Sequence, residues 1–395
     1  MPRLMEIADV QTGPFGSQLH KEDYVEVGTP IITVEHLGEK SFTEQNLPKV
    51  SDIDKERLSK YILEEGDTVF SRVGSVDRCS YVDLAHAGWM FSGRCLRVRP
   101  KGGVNPEFLY YFFTTEETKQ LIRSIAVGAT MPSINTKILS EIEVALPSLE
   151  EQRKVADILS TIDKKIQINR EINRNLEEQA LLLFKSWFLD YEPYSNVKPE
   201  TWEDGVLGDF VTIKRGGSPR PIQEYLTDKG LRWLKISDVT SLSSPFVIDI
   251  AECIKESGLK KTVFLKAGSL VLSNSATPGV PKILDVDSCI HDGWLYFTES
   301  QFSNEFLYLY FKHIRRNLVA LGNGSVFTNL KTDILKGYPT VKPERNVLEE
   351  FDSIVFPMFE EMRRIARENH KLSELRDSLL PRLMSGELDV SDLDI

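Results

Sequence analysis

The feature that most constrains the fold is a run from about Pro147 to Phe188 in which apolar residues recur at alternating steps of four and three. Its seam positions are Val155, Leu159, Ile162, Ile166, Asn169, Asn173, Leu176, Ala180, Leu183 and Trp187. This spacing predicts a coiled-coil helix. At 1.5 Å per residue such a helix is roughly 55 Å long, too long for the interior of one compact domain. It therefore predicts a spacer that pairs with another helix.

A second run of the same kind follows later in the chain, and it supplies the partner. Its predicted seam is Val347, Phe351, Ile354, Met358, Ile365, Asn369, Leu372, Leu375 and Leu379. Pro147 corresponds to Pro343, and Asn173 corresponds to Asn369, so the long helix occurs twice. A lone Asn in an apolar seam fixes helix register at some cost in stability. Asn169, Asn173 and Asn369 are therefore predicted to set the register.

The globular segments that precede the two helices also repeat. Gly66–Ser71 corresponds to Gly268–Ser273, and His291–Trp294 is matched with His86–Trp89. Each segment holds short β-like runs and one helix start. The predicted fold is α+β, with two repeated globular domains joined by two long antiparallel coiled-coil helices and an internal pseudo-twofold repeat.

This pattern divides the chain into five predicted segments. They are the first globular domain (1–147), the first helical spacer (148–190), a linker with the second globular domain (191–343), the second helical spacer (344–386) and an acidic tail (387–395). The first repeat has no counterpart of Pro199–Trp202, so the sequence allows a clipped or alternative start.

Composition restricts the location and chemistry of the protein. No run of about 18 apolar residues predicts a membrane span, and Met1–Glu6 has no apolar signal core, so we expect a cytoplasmic protein without a membrane partner. The cysteines are scattered without a CxxC pair, which supports neither a zinc site nor a redox motif. We expect all four to be buried thiols, namely Cys79, Cys95, Cys253 and Cys289.

The net charge of −11 argues at first against nucleic acid, because its binders usually carry a basic surface. The charge is unevenly distributed, however. Acidic residues are in excess in the first globular domain, the second helix and the tail, whereas the second globular domain is close to neutral. A basic groove can exist on an acidic chain, so binding of nucleic acid stays open.

Motifs for catalysis are missing from the sequence. No FxGxG or GxGxxG loop predicts a nucleotide cofactor, no GxxxxGK[ST] predicts ATP, and no HExxH predicts a metal. Asn105–Phe108 is one substitution from the Asn-Pro-Pro-Phe motif of adenine methyltransferases, but the matching Ser303–Phe306 lacks the proline and indicates a helix start. His86 and His291 precede Gly-Trp in both repeats, and we interpret them as structural histidines. The sequence predicts no catalytic, cofactor-binding or metal-binding residue.

Polar and partly basic loops recur in both globular domains. Arg, Lys, Asn, Gln and Ser side chains can read base edges or hold phosphates. Each of them alone is equally compatible with a solvated loop, but the repeated set favours contact with a ligand. The candidate DNA-binding residues are Gln11, Ser17, His36, Ser71, Arg72, Ser75, Arg78 and Thr130 in the first domain, and Lys214, Arg215, Ser218, Arg220, Lys235, Ser273, Asn274, Thr277, Lys282 and Thr328 in the second.

The helices and their flanks resemble the specificity subunit of type I restriction-modification enzymes. The segments that carry the resemblance are Leu146–Gln152, Val155–Leu159, Ile162–Ile166, Leu183–Phe188 and Leu375–Glu387. In the globular domains only scaffold positions such as Gly66, Ser71 and Gly128 match, as expected where the DNA sequence that is read varies.

The resemblance implies that each globular domain is a target recognition domain for one half of a split site in double-stranded DNA. It implies that two modification subunits dock on the chain and methylate adenine N6, and it allows restriction subunits to join. S-adenosylmethionine, ATP and Mg²⁺ would then bind only to those partners, and this chain would be non-catalytic. A coiled-coil scaffold that assembles two partners without DNA is the alternative, and a salt-dependent DNA shift of the complex separates the two hypotheses.

Overall fold

The computed structural model describes residues 1–16, 18–240, 242–322, 330–391 and 393. The chain divides into two compact units, which are described separately. The first unit comprises Met1–Lys165 and Ser373–Ile395, and the second comprises Ile166–Leu372.

The first unit is a mixture of short strands and helices ahead of one long helix. Its strands are β1 (Ala8–Thr12), β2 (Tyr24–Val25), β3 (Thr29–Ile32), β4 (Lys49–Val50), β5 (Thr68–Ser71), β6 (Cys79–Tyr81), β7 (Met90–Phe91) and β8 (Cys95–Pro100). Its helices are α1 (Leu4–Ile7), α2 (Asp52–Arg57), α3 (Pro106–Thr114), α4 (Glu116–Ile125) and α5 (Thr136–Ser140), followed by α6 (Leu149–Phe188), which continues into the second unit.

The second unit repeats this order with additional strands. Its strands are β9 (Glu203–Val206), β10 (Thr212–Arg215), β11 (Leu226–Thr227), β12 (Leu231–Leu234), β13 (Phe246–Val247), β14 (Cys253–Ile254), β15 (Val263–Leu265), β16 (Leu270–Ser273), β17 (Pro281–Leu284), β18 (Ser288–Ile290), β19 (Trp294–Thr298) and β20 (Pro339–Lys342). Its helices are α7 (Leu207–Phe210), α8 (Ser237–Thr240), α9 (Asn304–Gly322) and α10 (Thr332–Lys336), followed by α11 (Arg345–Met384), which continues into the first unit.

Sheet topology confirms the internal repeat. The larger sheet of the first unit has the order β1-β8-β5-β6, and the second unit has β10-β19-β16-β17 with β13 added. The smaller sheets have the orders β2-β4-β3-β7 and β11-β14-β12-β18, with β15 added in the second unit. In both units the pair between the third and fourth strands of the smaller sheet is parallel. Two stretches of one chain therefore fold into the same topology.

Strand pairing corrects one correspondence that the sequence suggested. Ser71 pairs with Cys95 in the first unit, and Ser273 pairs with Trp294 in the second. His291–Trp294 is thus equivalent to Ser92–Cys95, not to His86–Trp89. The sequence match was wrong because the two segments share the short motif His-x-Gly-Trp, and a short motif can recur at a different structural position.

The predicted long helices are confirmed, each with 40 residues. Within the second unit Asn169 contacts Asn369, and Asn173, further along α6, contacts the earlier Met362. Within the first unit Asp163 contacts Arg376. From Asn169 to Asn173 the residue number in α6 rises while that of its partner in α11 falls, so the two helices run antiparallel in the second unit.

The first seam is confirmed from Val155 to Asn173, and the second is partly wrong. Toward the end of α6, Phe184 and Phe188 are buried, whereas the predicted Leu183 and Trp187 are only partly buried. Val155, Leu159 and Ile166 of the predicted α6 seam are buried. In α11, however, Ile354 is 42% exposed and Leu375 is 47% exposed. The buried apolar positions of α11 are Val347, Leu348, Phe351, Val355, Phe359, Met362, Ile365, Ala366 and Leu383, so the predicted Val347, Phe351 and Ile365 are confirmed. This stripe follows the 3.6-residue period because α11 packs against the globular core of the second unit as well as against α6.

Each unit has its own hydrophobic core at the junction of sheet and helices. In the second unit Phe184, Phe188 and Phe351 from the long helices pack with Phe306 of α9. Three of the four cysteines are buried as expected, but Cys253 is only partly buried. Burial raises the pKa of Cys79 to about 12, so this thiol stays protonated. Among the described segments, no helix combines the length and apolarity needed to cross a membrane.

Candidate nucleic-acid interface

One edge of the larger sheet in the first unit gathers four loops. Strands β1 and β5 end at Thr12 and Ser71, and their antiparallel neighbours β8 and β6 begin at Cys95 and Cys79. The connecting segments 13–16, 72–78 and 92–94 therefore leave from the same edge. Segment 127–134 joins them through a bridge from Val73 to Ser133. We call these four segments the first loop edge.

Close backbone contacts hold the first loop edge together. A Cβ atom on Gly13 would lie 2.1 Å from the carbonyl O of Ser92, and one on Gly93 would lie 2.3 Å from the carbonyl O of Pro14. Only glycine fits at such a close approach of two backbones. The amide of Arg72 donates to Arg94 O (2.8 Å), and its carbonyl accepts from the amide of Ile134 (3.0 Å). The loops thus form one surface.

Arg72 is the best-supported basic candidate on the first loop edge. Its guanidinium donates to Gly93 O (3.1 Å) and lies 5.3 Å from the ring centroid of Phe15, which is 51% exposed. Stacking on an aromatic ring and a carbonyl bond pre-orient a planar guanidinium that can bind guanine or phosphate. Arg78 and Arg94 add two exposed guanidinium groups to the same edge.

The second unit has an equivalent edge. Strands β10 and β16 end at Arg215 and Ser273, and β19 and β17 begin at Trp294 and Pro281. Segments 216–220, 274–280 and 291–293 connect them, and we call these, with the exposed end of β10, the second loop edge. A Cβ atom on Gly216 would lie 2.2 Å from His291 O, so this edge repeats the close approach made by Gly13.

Asp292 organises the polar side chains of the second loop edge. Its carboxylate accepts from Ser218 Oγ (2.6 Å) and from the Arg220 guanidinium (3.2 Å). Its carbonyl accepts from Arg215 Nε (2.5 Å) and Asn274 Nδ2 (3.2 Å). The hydrogen bond from Ser218 and the charge of Arg220 lower the pKa of Asp292, so the carboxylate stays ionised at neutral pH.

Several predicted DNA-binding residues are buried and support the loops from beneath. Ser71 Oγ donates to Val73 O (2.8 Å), and Ser273 Oγ donates to Thr277 O (2.5 Å). His36 is 3% exposed, and its Nδ1 accepts from the amide of Thr33 (3.0 Å). Burial lowers the pKa of His36, which favours its neutral form. Direct DNA contact by Ser71, Ser273 and His36 is therefore not supported.

The remaining candidates divide by exposure. Lys235 is partly buried and paired with Glu252 (2.5 Å), Asn274 is buried against the second loop edge, and Lys282 is buried. Ser17 and Thr328 lie outside the described residues. Gln11 is partly exposed on β1, next to the first loop edge. The candidates that are exposed or partly exposed at the loop edges are Arg72, Ser75, Arg78, Thr130, Lys214, Arg215, Ser218, Arg220 and Thr277.

Sequence reasoning missed Phe15, Arg94 and Asp292. Phe15 and Asp292 carry an aromatic ring and a carboxylate, whereas the side chains expected to contact DNA are cations, amides and hydroxyls. The sequence did single out His291–Trp294, which contains Asp292, as a repeated segment. Matching this segment with His86–Trp89 instead of Ser92–Cys95 placed Asp292 away from the loop edge. The place of Arg94 at the loop edge follows only from the pairing of β5 with β8, which the sequence does not show.

The two histidines interpreted as structural have internal partners. His86 Nδ1 contacts Asp83 Oδ1 (2.6 Å), and its Nε2 contacts Glu44 Oε1 (3.2 Å). His291 Nδ1 accepts from the amide of Gly293 (2.8 Å), and burial lowers the pKa of His291. Across the described part of the chain, no group of three or more His, Cys, Asp or Glu side chains is placed to hold a metal ion.

Comparison with known proteins assigns the family. The family model described as type I restriction modification DNA specificity domain matches residues 1–178 and 199–342, one match in each repeat. The chain belongs to this family. Members form the specificity part of type I restriction-modification systems and are not themselves catalytic, which confirms the expectation of a non-catalytic chain.

Curated relatives of this specificity-domain family cover most of the chain. The type I restriction enzyme MjaIX specificity subunit of Methanocaldococcus jannaschii is 30% identical over 316 residues, which are 74% of this chain and 72% of the relative. The type I restriction enzyme HindI specificity subunit of Haemophilus influenzae is 24% identical over 413 aligned positions, with 84% and 88% coverage.

A solved structure shares the fold. The specificity subunit of a type I restriction-modification system from M. genitalium superposes with a TM-score of 0.57 at 17% identity, covering 97% of this chain and 95% of that one. At this identity the likeness concerns the fold, and it agrees with the predicted arrangement of two repeated α+β domains with long helices.

Proposed function

We propose that this chain selects the DNA site of a type I restriction-modification complex, with each loop edge contacting one half of a bipartite site. The observation that carries this proposal is that both repeats, built on the same sheet topology, present exposed guanidinium groups at the same edge. Family membership supplies DNA specificity as the general role. The two edges differ in side chains, which suits the reading of two different half-sites.

The long helices provide a surface for partner subunits. Ile168 and Ile172 of α6 are 52% and 40% exposed, and they share one helix face because they are four residues apart. Phe356 of α11 is 41% exposed. Exposed apolar residues on a helix mark contact surfaces. We propose that two modification subunits dock on the helices and that restriction subunits can join this complex in the cytoplasm.

Catalysis and its cofactors belong to the partners in this proposal. The modification subunits would bind S-adenosylmethionine and methylate adenine N6, and ATP and Mg²⁺ would bind to restriction subunits. We expect calorimetric titration of the isolated chain with S-adenosylmethionine to give no saturable heat. Saturable micromolar binding would contradict this assignment of the cofactor.

The decisive experiment measures DNA binding by the assembled complex. We expect the logarithm of the affinity to fall linearly with the logarithm of salt concentration, because phosphate contacts release counterions. Arg72→Ala should cost about 1–3 kcal/mol of binding free energy and relax specificity in one half-site only. Arg3→Ala is the matched control, because Arg3 precedes the start of β1, away from the loop edge, and pairs with Glu141.

Two outcomes would count against this proposal. A complex that binds DNA no better than its modification subunits alone would favour a scaffold without DNA contacts. Equal loss of affinity on every half-site variant would reduce Arg72 to a phosphate contact, because phosphate contacts carry no sequence information.

A further inference from the structure

A cavity of approximately 220 Å³ lies in the second unit beside the second loop edge. The 274–280 segment, which belongs to that edge, contributes Thr277 and Val280 to its lining. The helices α8 and α9 form the other walls. Its polar lining consists of three cationic side chains and four hydroxyl groups, namely Lys282, Lys312, Arg315, Thr240, Ser243, Thr277 and Tyr308.

Lys282 places a buried positive charge in the wall of the cavity that β17 forms. Its side chain sits on β17 and the residue is 4% exposed. Its Nζ donates to Leu242 O (2.6 Å) and to Ser244 O. An ammonium group has three donors, so one is left after these two bonds. Burial lowers the pKa of Lys282 to about 7, and the bound state of an anion would favour the charged form.

The lining has more positive than negative charge. The carboxylate that reaches this region is Glu177 of α6, and it already accepts from Lys312 Nζ (2.9 Å) and from the Tyr308 hydroxyl. Arg315 donates from Nε to Pro278 O (3.4 Å), and within the described residues its terminal nitrogens have no hydrogen-bond partner. Among the described residues, therefore, neither Lys282 nor Arg315 forms an ion pair with a carboxylate, although the charge of Glu177 reaches Lys282 at longer range.

The repeated topology shows that the fold does not require these charges. The position of Lys282 is taken by Ser80 in the first unit, because Val271 pairs with Lys282 as Val69 pairs with Ser80. Since Asn304–Tyr308 corresponds to Pro106–Tyr110, Lys312 corresponds to Thr114, and Arg315 corresponds to Glu117. The same scaffold folds without any of the three cations, so their presence in the second unit points to a ligand.

We propose that this cavity binds a phosphate-type oxyanion, held by the Lys282 ammonium, the Arg315 guanidinium and the hydroxyl groups of Ser243 and Thr277. A tetrahedral oxyanion accepts hydrogen bonds on every side, which suits donors that converge from β17, α9 and the 274–280 segment. Its position beside the second loop edge makes a DNA backbone phosphate one source, and that source rests on the proposed function. Free inorganic phosphate is the other source of the same chemistry.

The first arm of the test uses sulfate, whose charge does not change near neutral pH. Thermal unfolding of the full chain is compared in sodium sulfate and in sodium chloride at equal ionic strength. We expect sulfate to raise the Tm by about 2–4 °C through ligand linkage. Arg315→Gln and Lys282→Met should lose this rise. Arg316→Gln, the neighbouring exposed arginine of α9, should keep it and thereby corrects for general salt effects.

The second arm measures the salt dependence of DNA binding by the complex. If the anion is a DNA phosphate, Arg315→Gln should reduce the slope of log affinity against log salt by about one, while Arg316→Gln leaves it unchanged. If sulfate stabilises the chain but the DNA slope is unaffected, the ligand is free phosphate. Stabilisation by sulfate therefore supports the anion site even if the complex turns out not to bind DNA.

Equal sulfate effects in the wild type, Arg315→Gln and Arg316→Gln would overturn the proposal. Because DNA binding is measured separately, this result would leave the proposed function intact. The Arg315→Gln variant keeps the inference falsifiable if Lys282→Met does not fold, since Arg315 lies at the mouth of the cavity and is only partly buried.

Discussion

A carboxylate at the centre of an edge that we propose to contact DNA needs an explanation at the scale of single residues. Asp292 repels phosphate, yet it orders Ser218 and Arg220 by direct hydrogen bonds. Such an acid lowers overall affinity and raises selectivity, because it restricts where the neighbouring guanidinium can point and disfavours loose contact with phosphate. Its position suggests that the second loop edge is built to discriminate between sequences.

Asp292→Asn tests this interpretation because it keeps an acceptor for Ser218 and removes the charge. We expect tighter binding to random DNA and a smaller ratio of specific to nonspecific affinity, measured by fluorescence anisotropy of the complex. Asp287→Asn is the control, because Asp287 pairs with Lys266 at the other end of β17. A variant whose specificity ratio matches that of the wild type would show that Asp292 only supports the loop.

Lys282 gives a pH dependence whose sign follows from its lowered pKa. Below about pH 7 the buried ammonium is charged, which opposes folding, whereas the unfolded chain keeps its lysine charged up to its ordinary pKa near 10. The unfolded state therefore binds more protons between pH 7 and 10, and stability rises with pH in this window.

We expect the stability of the wild type relative to Lys282→Met to increase from pH 6.5 to 9, by up to about 1.4 kcal/mol per pH unit above pH 7. Chemical denaturation at several pH values measures the difference. Lys266→Met is the control, since its exposed ammonium should give no such slope. A difference that does not change with pH would mean that the ammonium stays charged through its two carbonyl partners.

Residue positions were the hardest part to predict from sequence. The loops that form the edges could be found, because their polar residues recur between repeats. Whether a polar side chain faces outward or braces a turn depends on its place in the strand, and Ser71 and Ser273 end strands that are buried throughout. Sequence period alone does not separate these cases when a strand is buried on both faces.

At the scale of elements, the paired asparagines are the feature that distinguishes this helix pair from an apolar seam. Asn169 Nδ2 donates to Asn369 Oδ1 (2.9 Å), and Asn173 Nδ2 donates to Met362 O (3.2 Å). The predicted role in register stays a prediction, but these contacts give it a specific partner. An Asn opposite Leu would leave one buried amide without a partner, which penalises any shifted register.

A double-mutant cycle measures this coupling. Asn169→Leu alone should destabilise the chain by about 1–3 kcal/mol, because the Asn369 amide loses its partner. Combining Asn169→Leu with Asn369→Leu should recover that loss or exceed the wild-type stability, since two apolar residues then meet in the seam. Thermal and denaturant unfolding give the four free energies, and strictly additive effects would show that the two asparagines do not interact.

The elements show why a heptad pattern predicts one helix better than the other. The predicted α6 seam positions from Val155 to Asn173 are buried, whereas further along Phe184 and Phe188 are buried in the aromatic core of the second unit in place of Leu183 and Trp187. The α11 stripe also covers the aromatic core of the second unit, so Val355 and Phe359 are buried where Ile354 and Met358 were expected. A helix with two partners buries a wider face, and a narrow seam then misassigns residues by one position.

At the scale of the whole molecule, the internal repeat was predictable because two long runs and two sets of turns recur in order. Comparing the two repeats distinguishes residues that the shared fold requires from residues that occur in only one unit. Positions such as Gly13 and Gly216 are shared because two backbones meet there. Positions such as Lys282 and Ser80 differ, and differences on a common scaffold are where specificity can reside.

The proposed function makes the helices a ruler between two half-sites, and their length should then set the gap in the DNA target. The two halves of such a site lie about one helical turn apart, near 10 base pairs, which leaves a nonspecific gap of about 5–8 base pairs. Inserting four residues after Glu171 and four after Ala366 lengthens both antiparallel helices by about 6 Å at matched positions. Because B-DNA rises about 3.4 Å per base pair, the preferred gap should grow by one to two base pairs with both half-sites unchanged.

Methylation mapping of DNA modified by the assembled complex measures this gap. Four residues inserted after Gly102, in an exposed turn before α3, serve as the control and should leave the gap as it is. A changed half-site sequence would mean that the insertion disturbed a loop edge instead of the spacer. A gap that stays the same when both helices are lengthened would refute the ruler, because a rigid pair of helices cannot grow by a full turn and hold its two ends at the same separation.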